Sequence, residues 1–132
     1  MEPIRLGLTG EHRTLVTDEL AIRFLGMDSA RVLATPALIL LMEMTARNSL
    51  KPLLEDGFDS VGAEVSIRHL AATPMGMEVA IRTQVTAVEG RKVRFRVEAH
   101  DEKEKVAEGT HERFIVNTAR FAERLRAKRP GG

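Results

Sequence analysis

TPALILLMEMTARNSLK, residues 35–51, decides how the rest of the chain must be arranged. Thr35 is a good helix N-cap, and Pro36 suits the first helical position, where its missing N–H leaves nothing unpaired. Leu38, Ile39, Leu40, Leu41, Met42 and Met44 then surround a single carboxylate, Glu43. A helix apolar on every face belongs inside a domain, wrapped by other structure. An ionised carboxylate held there loses much of its hydration energy unless it is paired. Glu43 is therefore the first candidate for chemistry.

Beyond the helix, Pro52 and the cluster EDGFD mark an end and a turn. From Ser60 the apolar period changes to two. Val61, Ala63, Val65, Ile67 and His69 share one strand face, and Gly62, Glu64, Ser66, Arg68 and Leu70 the other. ATPMG reads as a turn. MEVAIRTQVTAVEG and RKVRFRVEAHD follow as two long alternating strands joined at Glu89-Gly90, a hairpin signal. DEKEK is a charged turn, VAEGTHERFIV a last strand, and TARFAERLRAKRPGG (118–132) a basic tail helix.

Before the helix the pattern is weaker. IRLGL and RTLVT read as short strands around a Thr9-Gly10 turn, and DELAIRFLG as a helical segment capped by Asp18 and stopped at Gly26. ARVLA then leads into Thr35 as a short strand. The order predicts an α+β domain in which an antiparallel sheet curls round one long helix, with a partner subunit covering what the sheet leaves bare.

The chain has 132 residues, enough for one domain with one core. Twenty basic and 19 acidic residues leave a net charge of +1, which gives no general pull toward nucleic acid or membrane. With no cysteine there is no disulfide, thiolate metal site or cysteine nucleophile. The apolar run 37–42 is far short of the roughly 20 residues of a membrane span, and the N-terminus lacks a signal-peptide core. A cytoplasmic protein is expected. Phosphate loops, dinucleotide fingerprints, nucleophile elbows and paired-histidine zinc motifs are absent, and His12, His69, His100 and His111 lack metal-ligand spacing.

The ordinary reading of Glu43 is an i,i+4 ion pair with Arg47. The alternative is a carboxylate held dry as nucleophile or general base. His69 ends the apolar strand face and points toward the helix, as a core histidine or as an acid/base. Thr35 caps the helix, and a cap can also present its hydroxyl to a ligand where the helix dipole favours negative charge. Gly62 inside a strand marks a bulge or a close approach of a ligand to the backbone. Thr35 and Glu43, eight residues apart, stand about 12 Å apart along one helix axis. If both serve one small carbonyl, they must come from different subunits of a symmetric pair.

Four segments carry a resemblance: LMEMTARNSLKPLLE (41–55) with its preceding Thr35, RHLAATPMG (68–76), AVEGRKVRFRVEAHD (87–101) and EGTHERF (108–114). From about Leu33 to the basic tail the chain resembles the hotdog-fold acyl-CoA thioesterases, in the branch typified by fluoroacetyl-CoA thioesterase. The resemblance implies a curved antiparallel sheet wrapped round a central helix, as a single domain over 1–132. It also implies a homodimer formed edge to edge with active sites at the interface, pairing into tetramers being left open.

Carried over by position, the resemblance implies catalytic roles for Thr35, Glu43 and His69, a backbone N–H of Gly62 beside the thioester, and Arg113 near the site. Glu43 would attack the acyl carbonyl or activate water, His69 would move protons and Thr35 would orient them. Backbone donors would stabilise the oxyanion, a contribution of about 3–4 kcal/mol per donor. No cofactor is implied beyond the coenzyme A of the substrate, whose phosphates would meet basic groups such as Arg120, Arg124, Arg126, Lys128 and Arg129, unless the tail is simply a solvated helix. Two positions depart from the branch. The stretch MDSA (27–30) offers no aromatic where its aromatic gate lies, Phe24 being the nearest, and Pro36 replaces a glycine. Thioester hydrolysis is thus the expected activity, the acyl group is open, and a hydratase or dehydratase of the same fold or a non-catalytic acyl-CoA-binding module are the competing readings.

Overall fold

The structure, a computed structural model, describes residues 2–131; Met1 and Gly132, the two ends of the expected 1–132 domain, lie outside the described residues. Seven main elements follow one another: β1 (Thr9–Leu15), α1 (Thr35–Leu50), β2 (Phe58–His69), β3 (Glu78–Glu89), β4 (Lys92–Asp101), β5 (Lys105–Asn117) and α2 (Thr118–Lys128). The strands form one antiparallel sheet in the order β1-β3-β4-β5-β2. Strand alternation does what the sequence predicts: Val93, Phe95, Val97 and Ala99 of β4 are buried, while Arg94 and Arg96 between them are exposed.

Helix α1 crosses the inner face and touches β1, β2, β3 and β4. The two edge strands, β1 and β2, are four spacings or roughly 19 Å apart in a flat sheet. A helix about 10 Å wide meets both only because the sheet curls round it. Leu38, Met42, Ala46 and Leu50, one i,i+4 stripe, are its buried face, and cutting Leu38 or Met42 back to alanine would cost about 2–5 kcal/mol. The helix is not enclosed on every side, however. Leu40 is 58% and Met44 44% exposed, so one chain covers only one side of an element whose composition calls for two.

The segment before α1 departs most from expectation. Thr9-Gly10 is not a turn but the start of β1, and the turn lies earlier, at Gly7, whose φ of 88° suits glycine. The DELAIRFLG stretch makes only a single 3-10 turn, Asp18–Leu20. Asp18 does not cap a helix there: its carboxylate takes Arg31 Nη1 at 2.6 Å and also pairs with Arg23. Arg31, 9% exposed, further donates to the carbonyls of Asp18, Ala21 and Ile22. The loop is tied by this arginine and by backbone hydrogen bonds such as Ile22 N–H to the Val32 carbonyl and Ala34 N–H to the Leu20 carbonyl, not by a helix. Two isolated bridges, Ala21 to Leu33 and Val32 to Pro74, stand where the short strand was expected. The hairpin at Gly90 and the 102–104 turn occur as expected, and the tail forms α2 but ends at Lys128, short of the 118–132 expected for it. No helix among the described residues is long and apolar enough to cross a membrane.

Candidate active site

Thr35 is not the N-cap. Ala34 occupies that position, Thr35 and Pro36 begin the first turn, and no side chain caps the helix. The Thr35 hydroxyl is therefore free for another partner, and its Oγ1 lies 2.8 Å from Nδ1 of His69. His69 is the last residue of β2 and reaches inward to the helix start, on the face the alternation assigned to it. Its Nε2 is shielded from solvent and has no hydrogen-bond partner among the described residues. Burial lowers the pKa of the ring below its usual 6.5, so His69 is neutral at pH 7 and can accept a proton. Beside this pair lies an open hollow of about 360 Å³, lined by Ile22, Phe24, Val32, Leu33 and the 70–72 turn. It is mostly apolar and adjoins two proton-handling groups, which is what a small acyl chain with a reactive carbonyl needs.

Glu43 belongs to a different cluster. It does not pair with Arg47, whose guanidinium is taken by Asp59 in a two-point contact of 2.6 and 3.0 Å. Nor is it fully enclosed, since its side chain is 35% exposed. Its cation is Arg113 of β5, with Nη1 3.4 Å from Glu43 Oε2. Its floor is Gly62 of β2: a Cβ placed there would stand 2.6 Å from Glu43 Oε2. Glycine at 62 is thus the space in which the carboxylate lies.

The face assignment of β2 is half right. The register of β2 against β5 slips between Gly62 and Glu64, leaving Ala63 as an extra residue. Beyond the bulge Val65, Ile67 and His69 face inward as expected. Before it the parity reverses, so Ser60 is buried opposite Ile115 and Gly62 faces Glu43, while Val61 pairs with the exposed Phe114. Of the two readings of Gly62, the bulge is present, and what lies against the glycine in this chain is the Glu43 carboxylate. Ser60 and His111, which hold Arg113, were not singled out from the sequence. The available signal was the inward parity of β5, where His111, Arg113 and Ile115 alternate on one face.

The five expected residues thus form two groups in one chain: Thr35 with His69, and Glu43 with Gly62 and Arg113. From Gly62 to His69 is seven residues of β2, including one bulge, a backbone span of roughly 20 Å that places the two groups toward opposite ends of the strand. Among the described residues no group of three or more His, Asp or Glu could hold a metal ion.

A family model described as fluoroacetyl-CoA-specific thioesterase matches residues 16–119. The match spans α1, all of β2 to β5 and both residue groups. The chain belongs to the fluoroacetyl-CoA-specific thioesterase family. A member of this family, the fluoroacetyl-CoA thioesterase of Streptantibioticus cattleyicolor, is 33% identical over 135 residues that take in 98% of this chain and 97% of that protein. A solved fluoroacetyl-CoA thioesterase superposes with a TM-score of 0.88 at 32% identity, covering 98% of this chain and 100% of that one. A hot-dog-like protein from Thermanaerovibrio acidaminovorans gives a TM-score of 0.88 at 26% identity over 96% of this chain and 94% of its own. The fold is the hotdog fold, and the family's activity is thioester hydrolysis.

Proposed function

We propose that this thioester hydrolase cleaves a short or small acyl-CoA to the free acid and coenzyme A, at sites built by two copies of the chain. One copy supplies Thr35 and His69, the other Glu43 with Gly62 and Arg113. The observation that carries the reading is the separation of the two groups along β2. That strand is a sheet edge with one side unpaired, and an edge strand of 12 residues is a ready template for another chain. A second β2 laid antiparallel about a two-fold axis near Val65 and Ser66 would set the Gly62 end of each copy against the His69 end of the other. Both groups are on the inner face, so an axis normal to the sheet keeps them on the same side. The exposed Leu40 and Met44 of α1 are apolar surface for the second copy to cover.

In this arrangement the acyl group enters the hollow beside Thr35 and His69, with its carbonyl between them and the partner's carboxylate. Glu43 attacks the carbonyl carbon directly, or takes a proton from a water that does so. A bond from oxygen to carbon forms, the electron pair of the C=O moves to the oxyanion, and a backbone N–H such as that of Gly62 stabilises it. As the intermediate collapses, the C–S bond breaks and coenzyme A leaves as the thiolate, which is protonated by way of His69 with a proton that comes from the attacking water, either in this step or when water opens the anhydride. If Glu43 is the nucleophile, a water then hydrolyses the resulting anhydride and restores the carboxylate. Thr35 fixes the imidazole through Nδ1, which leaves Nε2 to exchange protons. Water and the chain's own groups suffice for these steps. Coenzyme A phosphates fit the exposed basic face of α2, with Arg120, Arg124, Arg126 and Lys128. The reading is of a cytoplasmic homodimer, a single domain over 1–132.

The test is free-thiol release from a panel of short, branched, aryl and fluoroacetyl-CoA thioesters, with the protein's mass followed for an acyl-enzyme. We expect turnover of at least one small acyl-CoA and its loss in Glu43→Ala, by about a hundredfold or more. An unchanged rate in that variant would refute the assigned role of Glu43. A change in enoyl absorbance without thiol release would point instead to a hydratase.

A further inference from the structure

We infer that His111 is a positioning residue for the reacting carboxylate and acts on it through Arg113, an inference that rests on the reading of Glu43 given above. His111 is 1% exposed, stacked on Phe95 with ring centroids 6.0 Å apart, and its Cε1 is within 3.5 Å of where a Cβ on Gly62 would be. Its Nδ1 is 2.8 Å from the backbone carbonyl of Glu64, the first paired residue after the bulge. A carbonyl only accepts, so Nδ1 carries the proton and donates it. Burial keeps the ring neutral by lowering its pKa, which leaves a lone pair on Nε2.

That lone pair faces Arg113 Nη1 at 3.2 Å, and Nη1 donates to it. Ser60 holds the other side of the guanidinium: Nε donates to its Oγ at 2.7 Å and Nη2 to its carbonyl at 2.8 Å. Arg113 is only 5% exposed, so each of these acceptors stands in for water it has lost. With Ser60 on one side and His111 on the other, the plane of the guanidinium is set and Nη1 meets Glu43 Oε2. The order of control is clear: the Glu64 carbonyl selects the tautomer, the tautomer makes Nε2 an acceptor, and the acceptor aims Arg113. A histidine retained only to fill the core would need its volume but not its lone pair.

The experiment compares wild type with His111→Gln, His111→Leu, Ser60→Ala and Glu43→Gln, measuring kcat and KM for thiol release from the best substrate of the panel, and urea stability. Glutamine keeps an acceptor near the Nε2 position, whereas leucine fills space without one. His111→Leu is expected to lower kcat about tenfold or more with KM within about twofold, and His111→Gln to recover most of that loss at similar stability. A folded His111→Leu with wild-type kcat, or equal kcat losses in both His111 variants, would overturn the inference. Should His111→Leu not fold, Ser60→Ala decides by removing the other side-chain acceptor: a fall of about fivefold in kcat supports the inference and a wild-type kcat overturns it. Full activity in Glu43→Gln would instead overturn the reading of Glu43 itself.

Discussion

Gly62 shows how much one absent methyl group can decide. A Cβ at that position would meet the end of the Glu43 side chain at 2.6 Å and no closer backbone atom. A carboxylate terminus can swing away, so the fold tolerates the change, but the carboxylate then leaves its place. Gly62→Ala should keep a melting temperature within a few degrees of wild type while kcat falls about tenfold or more, because misplacing a reacting group by even an ångström is costly. Wild-type kcat in Gly62→Ala would show that the carboxylate position seen beside Gly62 is not the working one. Thr35 makes a similar point. As an N-cap its hydroxyl would have been spent on backbone N–H groups, whereas one position further on it is free to bond the His69 ring.

At the scale of elements, α1 could be read from its apolar run behind Thr35 and Pro36, and the four long strands from an alternation of period 2 that is interrupted only at bulges. The candidates Glu43 and His69 stood out in the sequence too, one as a polar break in an apolar helix, the other as the end of an alternating face. The bulge was not legible, since one extra residue reverses parity without changing composition, and only Gly62 hinted at it. The segment before α1 was legible only in part: RTLVT overlaps β1, but the loop after it was read as a helix. Its shape depends on Arg31 reaching back to Asp18 and the Ile22 carbonyl, contacts that no local pattern encodes. Gly109 tests the element scale. A Cβ there would stand 1.9 Å from the Ser66 carbonyl oxygen on the neighbouring strand, and backbone has no rotamer to escape into. Gly109→Ala should therefore pry β2 from β5 and cost about 2 kcal/mol or more in urea denaturation. A loss under about 0.5 kcal/mol would contradict that close strand approach.

For the molecule as a whole, burial depresses the pKa of both His69 and His111 from 6.5. Below that value the unfolded chain binds protons that the native state refuses, so stability falls as pH falls. Asp18 and Asp59, held low by hydrogen bonds from Arg31 and Arg47, add a second loss only as pH drops below their ordinary 3.8. The melting temperature should thus decline between about pH 7 and pH 5, before these carboxylates titrate, and less steeply in His111→Gln. A flat melting temperature across that interval would contradict the burial of neutral imidazoles.

The central claim is that no single chain holds a complete site, because β2 sets Gly62, beside Glu43, and His69 at the two ends of a backbone span of roughly 20 Å. Mixing two inactive variants tests it most directly. Glu43→Ala and His69→Ala chains, unfolded together in equal amounts and refolded, should give half mixed dimers, each with one intact site of two. The account predicts recovery of about a quarter of wild-type thiol release, although each variant alone remains inactive. No activity in the mixture, with mixed dimers demonstrated by mass, would contradict it.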